Sequence, residues 1–134
     1  MIVVDASIIV HLIAEAEPLA NPDILYNEDS WIAPAHVDLE VLNALRRYVM
    51  LKRLTVTQAT AAVGDYMQLA LERHSVASFI TRIWELRDNL SPYDGAYIGL
   101  AESRGIVVVT RDEKLASASG HHAKVIVTSP IWAR

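Results

Sequence analysis

Four carboxylates, Asp5, Glu40, Asp94 and Asp112, each interrupt an otherwise apolar context where the sequence pattern places a strand end or a helix. Gathered at one edge of a sheet they would repel one another. That repulsion asks for a divalent cation, and an oxygen-only donor set suits Mg²⁺ or Mn²⁺. Such a centre is suited to phosphodiester cleavage. Taken singly, three of the acids also have an ordinary structural reading. Asp5 can cap a first helix and Asp112 a late one, while Ser91-Pro92-Tyr93-Asp94 reads as a capping box with Asp in place of Glu. Glu40 differs, because it falls mid-helix on the border of the apolar face, where a solvated carboxylate has less reason to be.

The elements that must position these residues follow from periodicity. Ile2 to Val4 is a β-branched run, and Ile8, Ile9, Leu12 and Ile13 then recur at helical spacing. Pro18 and Asn21-Pro22 mark a boundary, and Trp31-Ile32-Ala33 forms a second short strand before Pro34. A helix is expected from about Ala35 to Lys52, with Val37, Val41, Leu45, Tyr48 and Val49 on its buried side and His36, Glu40, Asn43 and Arg47 on a neighbouring stripe. Thr57 is expected to cap a further helix whose apolar stripe is Ala59, Ala62, Val63, Tyr66 and Ala70. Leu71 to Val76 reads either way and fits an edge strand, before a helix carrying Ile80, Ile83, Trp84 and Leu86. Ser91-Pro92 opens a helix that Gly105 stops. Ile106 to Val109 and Val125 to Val127 are the last strands, with a short helix from about Asp112 to Ala118 between them. Strands alternating with helices imply a mostly parallel sheet covered on both faces, with ligands bound beyond the carboxyl ends of the strands. Asp5 and Asp112 follow two strands at that end.

With 134 residues, 52% of them hydrophobic, the chain is expected to be a single domain over 1–134 with a packed core. Absence of Cys rules out disulfides and thiolate metal sites and suits a cytoplasmic setting. The start Met1-Ile2-Val3-Val4-Asp5 has no basic region ahead of its apolar stretch, and no apolar run approaches the ~20 residues of a membrane span, so no membrane role is expected. A net charge of −4 argues against a general nucleic-acid binder, though not against a nuclease whose acids hold metal. Basic residues cluster at Arg46-Arg47, Lys52-Arg53 and around Arg82 and Arg87, where a solvated helix face is an equal reading. His36 is expected to be a surface imidazole, and Trp31, Trp84 and Trp132 to be packing residues.

Asp5-Ala6-Ser7, Glu40, Ser91-Pro92-Tyr93-Asp94-Gly95-Ala96-Tyr97 and Thr110-Arg111-Asp112-Glu113-Lys114-Leu115 together resemble the ordered motifs of PIN-domain ribonucleases, in particular the VapC toxins of type II toxin–antitoxin modules. The resemblance spans essentially the whole chain. It implies a three-layer α/β/α PIN-like fold with a central mostly parallel sheet. It also implies that Asp5, Glu40, Asp94 and Asp112 hold Mg²⁺ (or Mn²⁺) and cut RNA, often a tRNA or a ribosomal RNA loop, with Ser7 and Thr110 in support. Gly95 stands where the family usually has Ala. A cognate VapB-like antitoxin protein is the implied partner, and a homodimer is expected because symmetric pairs are the commonest assembly. Glu40 is left open as ligand, orienting acceptor or base, and the number of metal ions is open as well.

Other functions remain to be weighed. A phosphoaspartyl receiver would need an adjacent acidic pair, and a haloacid-dehalogenase-like phosphatase a second Asp at position 7, which is Ser. A DNA-directed metal nuclease shares the same chemistry. A noncatalytic PIN-like interaction module has the same fold, but the intact quartet counts against it.

Overall fold

The computed structural model describes residues 1–15, 17–20 and 22–128. The expected tail Pro130 to Arg134, with Trp132, lies outside the described residues. Among the described residues five strands form one sheet: β1 (Ile2–Val4), β2 (Trp31–Pro34), β3 (Leu71–His74), β4 (Val108–Thr110) and β5 (Val125–Val127). Their order is β3-β2-β1-β4-β5, and every pairing is parallel. Val3, Val4, Ile32, Ala33, Val108 and Val109 are fully buried. Such continuous apolar runs are what a parallel sheet covered on both faces requires.

Among the described residues, seven helices accompany the strands: α1 (Ala6–Ala14), α2 (Asp23–Tyr26), α3 (Val37–Met50), α4 (Val56–Met67), α5 (Ile80–Glu85), α6 (Pro92–Arg104) and α7 (Glu113–Ser117), with a 3₁₀ turn at Val76–Phe79. Right-handed crossovers from β1 to β2 to β3 run in one direction, so α1, α3 and α4 share a face and pack on one another. The chain then reverses to reach β4, which puts α5 and α6 on the other face, with α6 lying over β1, β2 and β4. The reversal makes the β1/β4 boundary the switch point of the sheet, where Asp5 follows β1 and Thr110 ends β4.

Local chemistry explains the main helices. Val37, Val41 and Leu45, four residues apart, bury one face of α3. Ser91 Oγ accepts the Asp94 N–H at 3.2 Å, Pro92 occupies the first turn, and Gly105 ends α6 at φ 65°. Residues Gly95 through Ala101 are all buried, and α6 approaches Phe79 so closely that a Cβ on Gly99 would meet its ring at 3.0 Å.

Several expectations need correction. Thr55, not Thr57, caps α4, in a reciprocal box with Gln58: Gln58 N donates to Thr55 Oγ1 at 3.1 Å and Thr55 N to Gln58 Oε1 at 2.9 Å. Ala70 lies beyond that helix and is exposed. The edge strand expected over Leu71 to Val76 is present but ends at His74, with Val76 in the 3₁₀ turn that follows. The turn α2 carries no periodic signal because it is only four residues long. Among the described residues no helix is long and apolar enough to cross a membrane.

Candidate active site

Asp5 sits where β1 passes into α1, at the N-cap position, yet its side chain makes no cap hydrogen bond. Its Oδ2 instead accepts Ser7 Oγ at 2.8 Å and Thr110 Oγ1 at 2.6 Å. Both hydroxyls are in turn acceptors for the chain leaving β4: Arg111 N donates to Ser7 Oγ at 3.0 Å and Asp112 N to Thr110 Oγ1 at 2.9 Å. Two hydroxyls thus tie the end of β1 to the turn that delivers Asp112. The structural reading of Asp5 as a helix cap is set aside. That of Asp112 is kept alongside its place in the site, because its Oδ1 accepts Lys114 N at 2.9 Å at the start of α7.

The remaining acids arrive from the helices. Glu40 points from α3 toward α6, where Tyr97 O–H donates to its Oε1 at 2.7 Å. His36, one turn earlier, places Nε2 3.1 Å from the same oxygen, near enough for an ion pair but not aligned as a hydrogen bond. His36 also meets the Tyr93 and Tyr97 rings edge-on, so it is a packed, half-buried neighbour of Glu40 and not the surface imidazole expected. Asp94 comes from the first turn of α6.

All four carboxylates line a single cavity of about 350 Å³, together with Ser7, Asn43, Arg47, Tyr48 and Arg111. A contiguous space, sharing Glu40, Asn43 and Asp94, is walled by His36, Leu39, Ser91 and Tyr93. Electrostatics record the crowding. Burial pushes the Asp5 carboxyl up to about 6, against the opposing hydrogen bonds of Thr110 and Ser7 and with help from the charges of Glu40 and Asp94. Asp94 is raised by its own burial and then by Asp112 and Glu40.

The donor set fits a hard divalent cation in kind. Asp5 Oδ1, Glu40 Oε2 and Asp112 Oδ2 accept no hydrogen bond from the protein among the described residues. No three His, Cys, Asp or Glu side chains among those residues are drawn close enough to hold an ion by themselves. Uncompensated carboxylates repel, and Mg²⁺ commonly keeps several waters and takes only one or two carboxylates, so a wider ring of acids suits it. A Cβ at Gly95 would meet Ile83 Cγ2 at 3.5 Å, ordinary contact, so the departure from Ala leaves the site undisturbed.

Two groups escaped sequence reasoning. Tyr97 is three residues from Asp94, on the same helix face, which is a signal for it. Glu15, which holds Arg111, gave no signal at all, since its partner is 96 residues away. Of the basic clusters, Arg46, Arg47, Lys52 and Arg53 are exposed, whereas Arg82 is engaged by Glu102, Glu85 and the Gly120 carbonyl. Trp31 does pack, donating Nε1–H to the Leu25 carbonyl at 3.0 Å, but Trp84 is 67% exposed and contradicts its assignment as a packing residue.

Comparison with known proteins agrees with this geometry. The sequence profile of the PIN domain family matches residues 2–120. Ribonuclease VapC3 of Mycobacterium tuberculosis is 38% identical over 118 residues, covering 87% of this chain and 86% of that protein. Ribonuclease VapC12 of the same organism is 33% identical over 125 residues, covering 93% and 97%. In fold, the chain is similar to the crystal structure of M. tuberculosis VapC20, a sarcin-ricin loop cleaving toxin, with a TM-score of 0.67 at 19% identity over 91% of this chain and 97% of that one. The parallel sheet, the helices on both faces and these relatives give one conclusion: the chain belongs to the PIN domain family, among its VapC ribonucleases.

Proposed function

We propose that the chain is a metal-dependent endoribonuclease toxin that cuts structured RNA, a tRNA or ribosomal RNA loop, and so inhibits translation until a cognate antitoxin neutralises it. The observation that carries this reading is the convergence of Asp5, Glu40, Asp94 and Asp112 on one cavity at the switch point of the sheet. Its relatives VapC3 and VapC12 are named ribonucleases, which supports RNA as the substrate class.

Asp5, Asp94 and Asp112 would hold Mg²⁺ or Mn²⁺. The bound ion would supply charge neutralisation at a phosphate oxygen and a water of lowered pKa. The protein's own contribution is positioning. Ser7 and Thr110 fix Asp5 through Oδ2 and leave Oδ1 without a protein donor among the described residues. Tyr97 and His36 both engage Glu40 Oε1 and leave Oε2 without a protein donor among the described residues, so Glu40 would serve through Oε2 as ligand, orienting acceptor or base.

A VapB-like antitoxin is the expected partner of a VapC-type chain. Leu39, Leu42 and Met50 on α3 and Val56 and Met67 on α4 are exposed, apolar surface of the kind a partner helix covers. A second exposed apolar face, around Ile80, Trp84 and Tyr93, would suit a second copy of the chain.

Cleavage of labelled RNA and DNA with Mg²⁺, with EDTA, and by Asp5→Asn tests the reading. RNA cleavage that stops in EDTA and falls at least about a hundredfold in the variant is expected. Wild-type rates in Asp5→Asn would sink it, and preferential cutting of DNA would replace the toxin reading with that of a DNA nuclease.

A further inference from the structure

The acidic cavity has a cationic side that the metal chemistry does not use. Arg47, in the last turn of α3, lines it and makes no ion pair among the described residues. Arg111, the first residue after β4, also lines it but is held firmly. Its backbone N–H donates to Ser7 Oγ, and its Nη1 donates to Glu15 Oε2 at 2.6 Å. Glu15, just past the end of α1, is itself braced from two other directions. Tyr48 O–H on α3 donates to its Oε1 at 3.0 Å, and Nδ1 of the buried His11 lies 2.5 Å from its Oε2. His11 is fixed in turn by Nε2 against the Glu17 carbonyl. Burial alone would raise the Glu15 carboxyl, but Arg111, Tyr48 and His11 outweigh that and hold it below its ordinary range, ionised.

This arrangement resolves a conflict. A guanidinium beside four carboxylates would ordinarily fold onto them in paired hydrogen bonds, occupying the oxygens a metal needs. Here one arm of Arg111 is tethered to a fifth carboxylate outside the quartet, and its Nε and Nη2 donors find no acceptor among the described residues. A planar, permanently charged donor fork at a cavity wall matches a phosphate. We propose that Arg111 grips a backbone phosphate of the RNA next to the one being cut, and that Glu15, braced by Tyr48 and His11, is the positioning residue that keeps Arg111 on the cavity wall and off the acidic quartet. The inference rests on the ribonuclease reading above.

Binding without cleavage separates the two. A short, fluorescein-labelled single-stranded RNA of mixed sequence, followed by anisotropy in EDTA over a salt series, reports each phosphate contact as a slope of log affinity against log salt. Arg111→Gln should weaken binding and flatten that slope by about 0.7, the value for one contact to a single strand. Glu15→Gln removes a negative charge, so simple electrostatics predicts tighter binding. Loss of the tether predicts weaker binding and the same flattening, with no further loss when both substitutions are combined. If Arg111→Gln does not fold, Arg111→Lys keeps the charge and loses the fork, and should weaken binding at an unchanged slope. A wild-type slope and affinity in the Arg111 variant overturns the phosphate grip, and tighter binding by Glu15→Gln overturns the positioning role. The ribonuclease reading fails separately, if the wild-type protein with Mg²⁺ leaves RNA uncut.

Discussion

Tyr97 gives its phenolic hydrogen to Glu40 Oε1 across 2.7 Å, joining the buried centre of α6 to the first turn of α3. Its ionisation is suppressed, first by burial and then by the charges of Asp5 and Glu40, so it remains a donor at any working pH. Glu40 therefore has a fixed rotamer before any substrate arrives. Tyr97→Phe removes only the hydroxyl. Stability should fall by about 1 kcal/mol, the net worth of one hydrogen bond. Cleavage should fall more, by roughly tenfold to a hundredfold, as when an orienting partner is lost. Thermal melts and initial rates on the same preparation check both. An unchanged rate would show that Glu40 needs no orientation from α6.

Asp5 makes metal-free stability pH-dependent in a direction opposite to an ordinary ion-paired acid. Its folded-state value is about 6, against 3.8 for the unpaired group. The folded protein therefore binds the proton more tightly than the unfolded chain, and ionisation weighs against folding. The penalty is absent below about pH 4, grows between the two values, and is complete above about 6, where it amounts to roughly 3 kcal/mol. Asp5→Asn should therefore be more stable than wild type at pH 8 in EDTA, with the difference vanishing near pH 4. Comparing the two proteins at each pH cancels the carboxylates whose values are lowered, such as Asp38 and Glu102. A constant difference across pH would mean that burial does not shift Asp5.

The legible parts of this fold were local. Ser91, Pro92 and Gly105 delimit α6 by their own backbone preferences, and the apolar run before Asp5 makes β1 and its end visible without any tertiary knowledge. Glu40 stood out as an acid expected mid-helix on the border of the apolar face, but α3 begins at Val37 and Glu40 falls in its first turn, where an acid also complements the helix dipole. Strand order was not legible, since it depends on which crossover reverses. Nor was exposure on α5: Ile80, Ile83 and Trp84 have the helical spacing of a core face, and periodicity does not distinguish a face buried in the core from one left for a partner. The hydrogen bonds that complete the site join Tyr97 to Glu40 and Arg111 to Glu15, residues 57 and 96 positions apart, beyond any local pattern.

That exposed face of α5 yields its own expectation. Ile80 and Trp84, with Val76, Ile83, Tyr93 and the Arg87 guanidinium stacked 4.8 Å over the Trp84 ring, surround an apolar pocket of about 400 Å³. Contiguous apolar surface of this kind marks an association site. Ile80→Glu should shift the protein from dimer to monomer in light scattering, while melting compared at a dilution where both proteins are monomeric changes little, because an exposed substitution is usually worth within about 0.5 kcal/mol. A monomeric wild type, or a variant that stays dimeric, would locate self-association elsewhere or remove it.

Asp94 separates a metal centre from a set of helix termini by stability alone. It sits in the first turn of α6, with its N–H on Ser91 Oγ, where an acid that only complements the helix dipole would be worth about 0.3–1 kcal/mol. Yet its carboxyl is raised, by burial first and then by Asp112 and Glu40, so its charge is unwelcome in the metal-free fold. By the same sign rule as for Asp5, ionising it lowers stability as pH rises through the raised value. Asp94→Asn should therefore match or exceed wild type in EDTA at pH 8, whereas the dipole reading predicts a loss. Mn²⁺ should then stabilise wild type by about 2.7 kcal/mol at a hundred times its dissociation constant, and the variant by much less. Melts of both proteins at pH 5 and pH 8, with EDTA or Mn²⁺, read all of these quantities. Equal Mn²⁺-induced shifts in the two would take Asp94 out of the site and leave it a helix terminus.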